Sequence, residues 1–73
     1  MAETPLGQVT VSDSSNHQAS GSGQQDGREI SVRLGQHAWI KKGGNYSLSA
    51  GGNAWKAMCT GADDSGYYYF QTY

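Results

Sequence analysis

Cysteine, proline and charge are all scarce in this chain of 73 residues. Cys59 is the single cysteine, so no disulfide can form within the chain, and no cysteine–histidine pattern typical of a zinc site is present. A domain of this size buries a modest core and commonly needs a disulfide, a metal or a partner for stability. The sequence therefore predicts either oligomerisation or an unusually well-packed core.

The few charged residues are nearly balanced. Five basic and six acidic side chains give a formal net charge of −1 at pH 7, which disfavours nucleic acid as a partner. No apolar run approaches the roughly 20 residues of a membrane span, and the first residues, MAETPLGQ, lack the basic and hydrophobic regions of a signal peptide. We therefore predict no membrane partner, and the sequence does not indicate a compartment.

Glycine is the most abundant residue, with eleven Gly, and the chain also contains five Tyr. Short segments of alternating polarity are separated by glycine pairs, and no stretch has a helical period. This pattern favours an all-β fold. We predict a small antiparallel β-meander of about five strands, curled into a barrel or half-sandwich.

The chain divides into three parts of one domain. Residues 1–12 are expected to form a tail and a short strand around Val9 and Val11. Residues 13–27 are rich in Ser, Gly and Gln and lack large apolar side chains, which predicts a flexible loop that adds little stability. Residues 28–73 are expected to form the β-meander core.

Glycine-containing pairs at residues 35–36, 43–44 and 51–52 predict two-residue turns between strands. Three such turns fix the register, because side chains alternate between the two faces of a strand. The two tryptophans would then pack on one face of the sheet. The predicted row across four strands is Val32, Trp39, Leu48 and Trp55.

The last segment, YYYFQTY, is the most informative anomaly. Its alternation places Tyr67, Tyr69 and Tyr73 near Met58 on an otherwise polar face, with Tyr68 inside the core. The segment has no charge or proline of the kind that protects a sheet edge, so we expect it to pair with the first strand or with a second copy. These features predict a non-enzymatic interaction or assembly module that forms a homo-oligomer, with a composition typical of virion and extracellular proteins.

A second hypothesis is a small carbohydrate-binding, lectin-like domain. Aromatic rings stack on the apolar faces of sugars, while amides bind sugar hydroxyls. The partner would then be a glycan rather than a protein. The residues that could form this platform are Trp39, Trp55, His37 and Asn53.

Groups capable of catalysis or metal binding are few. In the predicted register His37 lies two rows from Cys59, so we predict a buried thiol rather than a catalytic cysteine–histidine pair. Asp63 and Asp64 lie in GADDSG, which is better explained as a turn than as a calcium loop. We predict no catalytic residue, no metal site and no cofactor.

Overall fold

A computed structural model describes residues 3–73 as a closed six-stranded antiparallel barrel, which confirms the predicted all-β class. Around the barrel the strands follow the order β1-β2-β3-β6-β5-β4, and β4 closes against β1. No helix in this part of the chain is long and apolar enough to cross a membrane. The strands are β1 (Thr4–Ser12), β2 (Gln18–Asp26), β3 (Glu29–Arg33), β4 (Asn45–Ala50), β5 (Asn53–Ala62) and β6 (Tyr67–Thr72).

One hydrophobic core fills the interior of the barrel. Phe70 and Ile30 are its largest fully buried side chains, and they lie directly opposite each other on β6 and β3. No buried side-chain polar atom among residues 3–73 lacks a hydrogen-bond partner. The buried set is Val9, Val11, Ile30, Val32, Ile40, Tyr46, Leu48, Ala50, Ala57, Cys59, Tyr68 and Phe70.

The prediction of a flexible loop at residues 13–27 is wrong over most of its length. Residues 18–26 form β2, which pairs with β1 on one side and with β3 on the other. Only the five residues 13–17 remain as a turn between β1 and β2. The segment carries no large apolar side chain, yet it is an integral strand of the sheet.

Glycine in β2 is explained by close approach to its neighbours. A Cβ on Gly21 would overlap the backbone carbonyl of Arg33, and one on Gly23 would overlap the side chain of Val9. The segment SGSGQ also alternates small and polar residues with the period of a strand. In a barrel this narrow, the inner side of β2 is filled by its neighbours' atoms rather than by its own.

The predicted register is right for one turn of three. Gly51 and Gly52 have φ of 56° and 87°, which suits a two-residue type I′ turn, and Leu48 lies opposite Trp55 as predicted. The turns at 35–36 and 43–44 and the strand between them are wrong. Residues 34–44 instead cross the end of the barrel, because their apolar side chains, including buried Ile40, close the core there.

Trp39 therefore belongs to no strand, and Val32 lies opposite Tyr68 rather than opposite Trp39. The predicted row of four residues across four strands does not form. Both tryptophans are nevertheless partly buried and pack against the core. The expectation that they contribute to the core is confirmed, although the register that predicted it is not.

The C-terminal strand is not an edge. β6 pairs with β3 through five residue pairs and also with β5, where Phe70 lies opposite Cys59. Closure of the barrel takes place elsewhere, at a short seam in which residues 10–12 of β1 pair with residues 47–49 of β4. The expectation that an unprotected β6 needs a strand from β1 or from a second copy is wrong, because both its sides are already paired.

Candidate functional site

The outer surface of the barrel is polar on one side and aromatic on the other. Met58, Tyr67, Tyr69 and Tyr73, which we call the aromatic face, lie outside β5 and β6; Met58 is 38% and Tyr73 74% exposed. Met58 and Tyr73 are the exposed large hydrophobic residues among those described, whereas Tyr67 and Tyr69 are half-buried. On β1, β2 and β4 the outward positions are Gln8, Thr10, Ser12, Gln18, Ser20, Ser22, Gln24, Asn45, Ser47 and Ser49.

One end of the aromatic face is fixed by a carboxylate. The hydroxyl of Tyr69 donates to Oδ2 of Asp63 at 2.8 Å, and Oδ1 of Asp63 accepts the backbone amides of Ser65 and Tyr67 at 2.9 and 3.0 Å. The bond from Tyr69, together with the two amide bonds, lowers the pKa of Asp63, and the same side-chain bond raises the pKa of Tyr69. The ring of Tyr69 is thereby held in place on the surface.

The other end of the face lies between two cationic residues. The backbone N–H of Tyr73 donates to the carbonyl of Lys56 at 3.2 Å, and the Tyr73 hydroxyl donates to Oδ1 of Asn45 at 3.0 Å. A shallow groove of about 180 Å³ runs between Arg28, Met58 and Tyr73. The exposed thioether, phenol and guanidinium therefore share one concave patch.

The carbohydrate platform predicted from the sequence is not assembled. His37 and Trp39 lie on the connection across one end of the barrel, whereas Asn53 follows the turn at the opposite end and Trp55 packs against the core. The ring of His17 also stacks on Trp39 at 5.3 Å and 14°. One face of the Trp39 indole is thus covered by the protein itself.

Two buried tyrosine hydroxyls hold the connection 34–44 over the core. Tyr46 Oη accepts the backbone N–H of Lys41 at 2.7 Å and donates to the carbonyl of Trp39 at 3.1 Å. Tyr68 Oη accepts the backbone N–H of His37 at 2.9 Å and donates to the same residue's carbonyl at 3.3 Å. These bonds give a loop without regular structure a partner for its backbone groups, and the sequence offers no local signal for them.

The turns after β1 and β5 share one geometry, which was not predicted from the sequence. Asp13 Oδ1 accepts the backbone amides of Ser15 and His17 at 2.9 and 3.0 Å, with the same spacing as the bonds to Asp63. The fourth residue of each turn, Asn16 or Gly66, has a positive φ. The recurring signal is an Asp, then Ser two residues later, then Asn or Gly, then an aromatic residue, in DSSNH and DDSGY.

The ionisable groups of these turns are engaged in structural bonds. Burial acts to raise the pKa of Asp13, but the hydrogen bonds from the His17 amide and ring and from Ser15 outweigh it and lower that pKa. Oδ2 of Asp13 lies 3.0 Å from Nδ1 of His17. Within residues 3–73 no three His, Cys, Asp or Glu side chains are grouped in a way that could hold a metal ion.

Acid should weaken the barrel through Asp13 and Asp63. Their lowered folded-state pKa values mean that they stabilise the fold above the unfolded pKa of about 4, and that this stabilisation is lost as the pH falls through the folded values. We expect the melting temperature, followed by circular dichroism, to fall below about pH 4. The variant Asp13→Asn/Asp63→Asn should have a lower melting temperature at pH 7 and a flatter acid profile.

A matched control for that experiment is Asp64→Asn. Asp64 is exposed in the same turn as Asp63, but it accepts none of the turn's hydrogen bonds. This variant should keep the acid profile of the wild type. An equally steep acid profile in the double variant would show that the two turn carboxylates do not cause the acid sensitivity.

The single thiol is enclosed in the core. Cys59 is 2% exposed, and its Sγ–H contacts the carbonyl of Gly61 at 3.6 Å. Burial raises the pKa of Cys59, so the neutral thiol is favoured over the nucleophilic thiolate. Among the described residues no hydrogen bond joins it to a histidine, and His37 bonds instead to the Leu34 carbonyl and the Tyr68 hydroxyl.

The chain matches no protein-family model, no curated protein and no solved structure in the comparisons with known proteins.

Proposed function

We propose that the protein is a non-enzymatic assembly module that self-associates through its aromatic face. The observation that carries the proposal is the segregation of surface residues. Tyr and Met are concentrated outside β5 and β6, while the opposite side of the barrel displays Ser, Thr, Gln and Asn. Tyr, Met and Arg are the residues enriched in protein interfaces, and an isolated monomer gains nothing from exposing them together.

The barrel has enough surface for such an interface. A standard protein interface covers about 800 Å² on each partner, which is about a sixth of this chain's accessible surface of 4651 Å². The aromatic face and the adjoining β3 span three of the six strands. A contact of standard size therefore fits on this side without involving the polar strands.

The mode of association proposed here differs from strand addition. Because β6 is paired on both sides, a partner cannot extend the sheet at this strand. It can only pack side chain against side chain on the outer face. Such an interface depends on aromatic burial and on charges at its rim rather than on backbone hydrogen bonds.

The structure gives less support to carbohydrate binding. Its four candidate residues are divided between the two ends of the barrel and the core, and His17 already covers one face of Trp39. The aromatic face could also stack on a sugar. However, its neighbour Arg28 and its exposed Met58 are of residue types that are enriched in protein interfaces.

The proposal is tested by the molar mass in solution. We expect light scattering at tens of micromolar to give the wild type a mass above that of the 7.8 kDa monomer. The variant Met58→Ser/Tyr73→Ser should run as a monomer, because it removes the two most exposed apolar side chains and leaves the core intact. Ser20→Ala/Ser22→Ala, on β2 at the opposite side of the barrel, is the matched control and should associate like the wild type. A monomeric wild type would contradict the proposal.

A further inference from the structure

Charges of alternating sign surround the aromatic face. On β3, Arg33 lies opposite Tyr67 near one end of the barrel, and Glu29 lies opposite Gln71 near the other. On the other side of β6 the order of the signs is reversed. Asp64 lies in the turn next to Tyr67, and Lys56 lies beside Tyr73 at the far end.

Within residues 3–73 none of these four charges forms an ion pair. The contact between His17 and Asp13 is the one ion pair among residues 3–73. Arg33, Glu29, Lys56 and Asp64 are all exposed. Two positive and two negative side chains thus stand at the corners of the aromatic face, with equal signs on the diagonals. Arg28 adjoins Glu29 and Asp63 adjoins Asp64, so the end of the face at Lys56 is net positive and the end at Arg33 is net negative.

We infer that the partner of the aromatic face is a second copy of this chain, packed around a two-fold axis that lies in the plane of the face and crosses β6 at right angles near Tyr69. The inference rests on the proposed function and specifies its geometry. A symmetric dimer uses the same patch twice, so the patch must be complementary to itself. An arrangement of alternating corner charges has this property, whereas a face of one sign does not.

The strand pairings fix which residues would meet. Rotation about this axis reverses the direction of β6, so that Tyr69 meets its own counterpart and Tyr67 meets Gln71 of the second copy. Because Arg33 is level with Tyr67 and Glu29 with Gln71, Arg33 meets Glu29 of the second copy. Lys56 is level with Tyr73, so the same rotation places Lys56 near the turn of the second copy that contains Asp64.

An axis parallel to β6 would also bring opposite charges together, but it packs less well. It would place Tyr67, Tyr69 and Tyr73 each directly against the same ring of the second copy. In the antiparallel arrangement only Tyr69 meets its own counterpart, and the other rings face smaller groups. Alternation of large and small side chains gives the close packing that protein interfaces share with interiors.

A charge-reversal cycle tests this geometry. We expect Arg33→Glu and Glu29→Arg each to raise the dimer dissociation constant about tenfold, because every dimer contains the contact twice and each reversal replaces an attraction with a repulsion. The double variant Arg33→Glu/Glu29→Arg should return to the wild-type value. Lys42→Glu on the connection 34–44, which makes the same change in net charge as Arg33→Glu, is the control and should leave association unchanged.

The outcomes separate the geometry from the proposed function. If the single reversals weaken association and the double variant does not recover, the antiparallel arrangement is wrong. With an axis parallel to β6, the double variant would place Glu at position 33 against Asp64 and Arg at position 29 against Lys56, so like charges would meet. If the reversals have no effect while Met58→Ser/Tyr73→Ser dissociates the protein, the face is an interface but the charge register is wrong. A wild type that stays monomeric overturns both. Unchanged melting temperatures of the reversed variants would show that their folds are intact.

Discussion

Replacing Gly21 with alanine should prevent β2 from pairing with β3. A Cβ built on Gly21 overlaps the backbone carbonyl of Arg33, so relief requires movement of a strand rather than rotation of a side chain. Overpacking a core with flexible side chains costs about 1–3 kcal/mol, and a collision with backbone exceeds that range. A domain of this length has about 4–11 kcal/mol of total stability, so we expect Gly21→Ala to be largely unfolded or unable to pair β2 with β3.

Circular dichroism melting of Gly21→Ala beside Ser22→Ala measures this effect. Ser22 is the next residue on β2, is exposed, and faces outward. Its replacement makes a change of similar size without a collision and should leave the melting temperature within a few degrees of the wild type. A Gly21→Ala protein as stable as the wild type would mean that β2 does not approach β3 as closely as described.

Truncating Phe70 should have a comparable effect through the loss of packing. Phe70 is fully buried, lies opposite Ile30 on one neighbouring strand and Cys59 on the other, and meets the ring of Tyr46 edge-on at 5.9 Å. Phe→Ala in a core typically costs about 3–5 kcal/mol. For Phe70→Ala this is a large share of the total stability of a small domain, so we expect the variant to be mostly unfolded at 37 °C.

Urea unfolding gives the measurement for Phe70. The control is Gln71→Ala, on the adjacent outward position of the same strand. It should leave the midpoint nearly unchanged because Gln71 is exposed. A loss below about 1 kcal/mol for Phe70→Ala would be inconsistent with a side chain at the centre of the core.

The local parts of the fold could be predicted from the sequence. The hairpin of β4 and β5 follows from a Gly-Gly pair with a positive φ at both positions, and its register is correct. Alternation in YYYFQ separates inward Tyr68 and Phe70 from outward Tyr67 and Tyr69. Turn chemistry and a period of two act over a few residues, so a single sequence is enough to reveal them.

The features that escaped prediction depend on distant contacts. β2 has no hydrophobic signature because its inward side is occupied by Val9 and by the backbone of β3, and nothing within the segment shows this. The connection 34–44 looks like a strand, but buried hydroxyls of Tyr46 and Tyr68 hold it across the end of the barrel. The residues of the aromatic face could be predicted from the alternation of side chains along β6. The pairing of β6 on both sides could not, because β3, its second neighbour, lies far away in the sequence.

The seam between β1 and β4 has a consequence for how the molecule moves. Only three residue pairs join these strands, while eight join β1 to β2. Cooperative opening starts where the fewest bonds must break. We therefore expect local opening to begin between β1 and β4, which would leave β3, β6, β5 and β4 as a connected four-stranded sheet. The aromatic face lies on β5 and β6, within this four-stranded sheet. Opening of the seam between β1 and β4 would therefore leave the surface proposed for assembly intact.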